Sequence, residues 1–180
     1  EVVGPLAEQF TCYVLDLPGY DRSDTPPRRY SVEDFAQAVL DVMDSAQLDS
    51  VSTIGAHTGA IISIDMAISH PHRVKSMVMD GLPYWNKESG KLVFEKGISL
   101  GFTDTTSYDV PVAPLLTWEE ALNKEPNLDR TVWEEISELQ RKSRLWGRNT
   151  LEAATSYDMQ EAGPKVNTPT LVLYGDGDAI

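Results

Sequence analysis

Apolar positions along the chain change period several times, and each change predicts an element. From Phe10 the run FTCYVLDLPG is apolar and rich in β-formers until Pro18-Gly19 stops it, the pattern of a buried strand ended by a turn. After a loop rich in Pro and Arg, Ser31 offers an N-cap with Glu33 and Asp34 in the first turn. Val32, Phe35, Ala36, Val39, Leu40 and Met43 then recur at helical spacing, which predicts an amphipathic helix packed on an apolar surface. A short β-branched run at 50–54 enters Gly55-Ala56-His57-Thr58-Gly59 and is followed by AIISIDMAISH, which reads as strand, tight turn and helix. Pro71 ends that helix, and 74–79 (VKSMVM) forms another strand running into Asp80-Gly81 and Pro83. Strands alternating with helices at these spacings predict an α/β fold: a parallel sheet with right-handed crossovers and helices on both faces.

Beyond Pro83 the pattern changes. Residues 84–167 carry much charge and several helical windows but no clear buried strand, and read as a helical insertion. Its best helices are Trp118–Lys124, 131–144 and 150–161, with Pro126, Gly147 and Gly163-Pro164 as breaks. Trp85, Trp118, Trp133 and Trp146 could line a pocket under it, but aromatic residues at helical spacing read first as core. Pro169-TLVLY-Gly175 then restores a buried strand that ends in Gly-Asp-Gly-Asp. An interruption of this length is too long for a structureless loop and suits a cap, so the chain divides into a core at 1–83, a cap at 84–167 and a resumed core at 168–180.

Composition narrows the function classes. The 180 residues hold 15 Lys and Arg against 28 Asp and Glu, a net charge of −13 that disfavours nucleic acid and other polyanionic partners. The single Cys12 excludes an internal disulfide, and no Cys/His cluster has metal-ligand spacing. The most apolar stretch, 60–67, is broken by Ser63 and Asp65, so no membrane span is predicted. The first residues lack the basic start and apolar core of a signal peptide, and the cytoplasm is the expected compartment.

In an open parallel sheet, ligands bind beyond the carboxyl ends of the strands. Four segments lie there: 16–24, 55–59, Asp80-Gly81 and 175–178. The second is the most informative, because it has the small-x-X-x-small spacing of a nucleophile elbow. A strand turning sharply into a helix strains its central residue and needs small neighbours to avoid clashes. The helix N-terminus also presents free N–H groups, which makes the amide of Thr58 a natural oxyanion donor.

Asp16-Leu-Pro-Gly-Tyr-Asp-Arg-Ser-Asp24, the 55–59 turn, His70-Pro-His-Arg-Val74 and the segment from Pro169 to Asp178 together resemble the α/β-hydrolase fold superfamily in order and spacing. The resemblance implies an α/β-hydrolase fold with a variable helical cap, and a chain incomplete at both ends. The usual His-Gly oxyanion segment would precede Glu1 and the final histidine-bearing strand would follow Ile180. It departs at the elbow, where the family usually places Ser, Cys or Asp and this chain has His57. A neutral imidazole can act as nucleophile or as general base to a water. By the same resemblance Asp178 is the expected triad acid, with turn chemistry as its plainer role and Asp176 as competitor. Asp80 matches an alternative acid position. In the 16–24 loop Asp21 replaces a family glycine, which predicts a positive φ there. His70 and His72 read as caps at a helix C-terminus, not as metal ligands.

These readings imply a hydrolase acting on a small, partly apolar ester-like substrate, without cofactor or metal. The competing implication is a catalytically inactive member of the same fold that binds or signals through a small molecule. Fold alone does not separate the two.

Overall fold

The computed structural model of the chain describes residues 2–99 and 116–175. A short helix, α1 (Val3–Ala7), buries no residue. The first element with a strong local cause is α2 (Val32–Ser45). Ser31 Oγ accepts from the Asp34 N–H at 3.3 Å and the Asp34 carboxylate accepts from the Ser31 N–H at 2.9 Å, a reciprocal cap that satisfies two orphan donors. Val32, Phe35, Ala36, Leu40 and Met43 are buried on one face, each large side chain worth about 1.5–3 kcal/mol when fully removed from water.

Arg28 grips the Asp34 carboxylate through both terminal nitrogens at 2.6 Å. That pairing, helped by the cap bonds from Ser31, holds the Asp34 carboxyl down to about 2. A carboxyl depressed in the native state adds stability above the ordinary carboxylate range and loses it as pH falls through that range toward 2. Asp34→Ala is expected to cost about 1–2 kcal/mol near neutral pH. The deficit should shrink as the solution is acidified below about pH 4, as read by urea titrations at several pH values.

The sheet is parallel, in the order β1 (Val51–Ala56), β2 (Val74–Asp80), β3 (Thr170–Leu173). Its register runs from Val51 opposite Val74, through one irregularity after Val51, to Ala56 opposite Asp80, and from Met77 opposite Thr170 to Asp80 opposite Leu173. Between β1 and β2 runs α3 (Thr58–Ser69), whose residues from Ala60 to Ala67 are all buried. It is apolar nearly all round because the sheet lies on one side and α2 and later helices on the other.

Among the described residues, four α-helices lie between β2 and β3: α4 (Lys87–Ser99), α5 (Trp118–Lys124), α6 (Arg130–Ser156) and α7 (Met159–Ala162). Of these, α4, α6 and α7 contribute to the sheet's core. Trp85, Ala153, Ala154, Met159 and Ala162 belong to one buried cluster with Phe35, Ile61, Met77 and Met79. The Trp85 indole N–H donates to the Ala154 carbonyl at 3.1 Å, so this tryptophan is core. Trp118 and Trp133 pack edge to face, with ring centroids 5.7 Å apart; the side chain of Trp146 lies outside the described ones.

Asn149, 2% exposed, ties α6 to the segment before α2. Its Nδ2 donates to the Tyr30 carbonyl at 2.8 Å and its Oδ1 accepts from the Tyr30 N–H at 2.9 Å. Asn149→Leu would strand both backbone groups and is expected to cost about 2–4 kcal/mol, measured as a shift in denaturant midpoint.

The structure corrects three expectations. Residues 11–17, read as a buried strand, form no strand, and Tyr13 and Val14 are 54% and 73% exposed. A β-former run becomes a strand only when a neighbour accepts its ladder bonds, and no described segment does so. The strand at the chain's end exists, but all four residues of β3 are exposed, because it is an edge strand with no described helix packed against it. The expected break at Gly147 is absent, and α6 runs unbroken for 27 residues. One internal glycine costs a helix only about 1 kcal/mol, which burial of Asn149, Ala153 and Ala154 and the Asp129 cap offset. The sheet face carrying Ser52, Ile54 and Ala56 is exposed. Asp21 does adopt a positive φ, 38°. No helix among the described residues is long and apolar enough to cross a membrane.

Candidate functional site at the β1 to α3 turn

His57 is the single residue between β1 and α3, and its backbone is held at φ 48°, ψ −110°. The strain has a visible cause. The His57 N–H donates to the Asp80 carbonyl at 3.0 Å, extending the β1–β2 ladder by one residue. The His57 carbonyl already accepts from Ala60 and Ile61 at 3.0 and 3.3 Å, the first bonds of α3. One residue thus ends a strand and starts a helix, which forces it into a region that costs a non-glycine residue about 1–3 kcal/mol.

Gly55 makes the turn feasible. A Cβ there would lie 2.4 Å from both the carbonyl carbon and oxygen of Gly59, and 2.6 Å from the Ala60 nitrogen. Gly59 is different, because a Cβ on it would meet nothing within 4 Å. The small-x-X-x-small pattern therefore has one strict position and one permissive one.

The imidazole lies over Gly81, at the end of β2. A Cβ at Gly81 would sit 2.8 Å from His57 Cε1 and 3.2 Å from Nδ1, and Gly81 itself has φ 56°. The Gly81 N–H donates to the Leu173 carbonyl at 3.0 Å, so the carboxyl ends of all three strands converge beside His57. His57 is exposed, and its ring has no hydrogen-bond partner among the described residues. The Thr58 N–H, in the first turn of α3, likewise has no acceptor among them.

Of the residues singled out from sequence, His57 and Thr58 are together at this turn. Asp80 touches it through its backbone carbonyl, and its exposed carboxylate makes no hydrogen bond to His57. Asp178 and Asp176 lie outside the described residues. His70 caps the far end of α3, with Nδ1 2.9 Å from Ser69 Oγ and its ring 6.4 Å from that of His72. Among the described residues no group of three or more His, Cys, Asp or Glu could hold a metal. Gly81 was visible only as part of a strand-ending Asp-Gly; that it forms the bed of the imidazole is a long-range fact.

A strand-to-helix turn of this kind at the carboxyl edge of a parallel sheet is the setting of an α/β-hydrolase-fold site. The family model for the alpha/beta hydrolase fold matches residues 1–180, and the chain belongs to that family. Among curated proteins it is similar to the pimeloyl-(acyl-carrier protein) methyl ester esterase of Salmonella heidelberg, at 27% identity over 97% of this chain and 68% of that protein. Among solved structures, a hydrolase from Pseudomonas aeruginosa superposes with a TM-score of 0.66 at 17% identity, covering 91% of this chain and 61% of that one. The enol-lactonase from Burkholderia xenovorans gives 0.65 at 18%, with the same coverages. The chain thus spans about three fifths of each of these two structures.

Proposed function

We propose that the protein is a hydrolase of small, partly apolar esters or related acyl compounds, with His57 at a nucleophile elbow. The observation that carries this reading is the strained exposed imidazole beside the free N–H of Thr58. The esterase and lactonase relatives support the substrate class, since both names describe cleavage of an acyl carbon–oxygen bond.

An imidazole here has two productive routes. As general base it takes a proton from water while the water oxygen bonds the acyl carbon, and the carbonyl electron pair moves onto oxygen, where the Thr58 N–H donates. The carbon–oxygen bond then breaks as the leaving alkoxide receives that proton. As nucleophile the unprotonated nitrogen bonds the acyl carbon directly, the alkoxide leaves with a proton from solvent, and water hydrolyses the acyl-imidazole. Asp178 is assigned the role of orienting acid, with Asp80 as its alternative, and residues 84–167 that of a cap over the substrate.

A second reading, a binding module without turnover, is favoured by the absence of Ser, Cys or Asp at position 57. Turnover of short p-nitrophenyl esters by the intact protein, its His57→Ala variant and its His57→Ser variant separates the two. Activity lost in His57→Ala supports the hydrolase; a silent natural protein whose saturable ligand binding survives His57→Ala supports the module. A burst of p-nitrophenol before steady state marks the nucleophilic route.

A further inference from the structure

A cavity of about 610 Å³ opens between the start of α2, the second half of α3 and the ends of α6 and α7. Its size falls in the small-molecule range of roughly 300–1,000 Å³. None of His57, Thr58, Asp80 or Gly81 lines it. Asp65, which does, lies eight residues beyond His57, about 12 Å along the helix axis at 1.5 Å per residue. The cavity is therefore a different place from the β1–α3 turn, and a ligand bound in it is independent of the hydrolase reading.

Asp65 is the unusual group in this wall. It is 8% exposed on an otherwise apolar helix face, and aspartate is a poor helix former in an interior turn. Its Oδ1 accepts from the Tyr157 hydroxyl at 3.0 Å, and no other hydrogen bond reaches the carboxylate among the described residues. Burial raises the proton affinity of this carboxyl, and the Tyr157 phenol is likewise pushed up by burial and by Asp65. A buried carboxylate with one hydrogen bond, no ion pair among the described residues and only the His70 charge nearby to favour it is destabilising, so the fold itself gains little by keeping it.

The charges around it leave a negative excess. Arg28 is committed to Asp34 at 2.6 Å, Arg29 to Glu152 at 3.2 Å and Lys165 to Glu161 at 2.8 Å. Of the remaining charged groups in the wall, Lys87 stands against Glu33, Asp65 and Asp158. Ile68, Ala153 and Ala162 add an apolar strip.

We propose that this cavity binds a small primary alkylammonium, whose N–H groups donate to the Asp65 carboxylate while its alkyl stem lies against Ile68, Ala153 and Ala162. A directional N–H donor suits a lone carboxylate beside an apolar strip. A metal ion would need several ligands, and no such group exists among the described residues.

The test is calorimetric titration of the intact protein with n-butylammonium, using n-butanol as the uncharged match. Saturable butylammonium binding is expected, with n-butanol at least about tenfold weaker. Asp65→Asn, nearly the same shape, should weaken butylammonium by about tenfold or more, and Glu33→Gln, at an exposed position, by a smaller factor of roughly two to five. Melting curves establish that both variants are folded. Equal affinity in the natural protein and Asp65→Asn, equal affinity for amine and alcohol, or no saturation up to about 50 mM amine would each overturn the proposal.

Discussion

A Gly55→Ala variant is expected to lose a large share of the protein's stability. The added Cβ would be driven to 2.4 Å from the Gly59 carbonyl group and 2.6 Å from the Ala60 nitrogen. All three are backbone atoms of the turn, so no side chain can swing aside to relieve the clash. Relief requires moving the first turn of α3 away from β1, and α3 is the helix on which the core is built, with Ile61 and Met66 almost wholly buried. Overpacking that displaces backbone in this way costs about 3 kcal/mol or more, at the upper end for such changes, against a total of roughly 5–15 kcal/mol for a domain. Gly59→Ala is the matched control, because its Cβ meets nothing and alanine is the better helix former. It should melt within a few degrees of the natural protein, or slightly above it. Similar melts for the two variants would show that the turn relaxes and that Gly55 is not its strict position.

His57→Ala carries the second large effect, on activity. Alanine keeps the Cβ and hence the strained backbone, while removing a ring that hydrogen-bonds nothing among the described residues. Stability should therefore change little. The rate should fall by about 10²–10⁴ in kcat/KM, the range for loss of a positioned acid–base group. His57→Gly separates strain from chemistry. Glycine adopts φ 48° without steric cost, so this variant should be inactive yet about 1 kcal/mol more stable than His57→Ala, as read from denaturant midpoints. Undiminished ester hydrolysis in His57→Ala would move the chemistry elsewhere in the molecule.

The parts legible in the sequence are those whose causes are local. Ser31 and Asp34 lie three residues apart and cap each other whatever surrounds them. The five residues 55–59 contain both the strained position and the glycine that permits it. Asp21 stands where a loop needs a positive φ that aspartate tolerates. Such features depend on a few bonds within one turn of chain, so composition and spacing determine them.

The remainder depended on partners distant in sequence. The run after Phe10 has the composition of a buried strand, yet burial and pairing belong to the neighbours a segment finds, and no described segment pairs with it as a strand. Gly147 reads as a helix break, but α6 is carried through it by contacts such as Asn149 with Tyr30, 119 residues away. Gly81 beneath the His57 ring, and Asp65 bonded to Tyr157 across 92 residues, likewise follow from packing alone. Local stereochemistry determined the caps, the turn and the period of each element; which faces were covered, and which polar groups met, was decided only when separate segments competed to remove apolar surface from water.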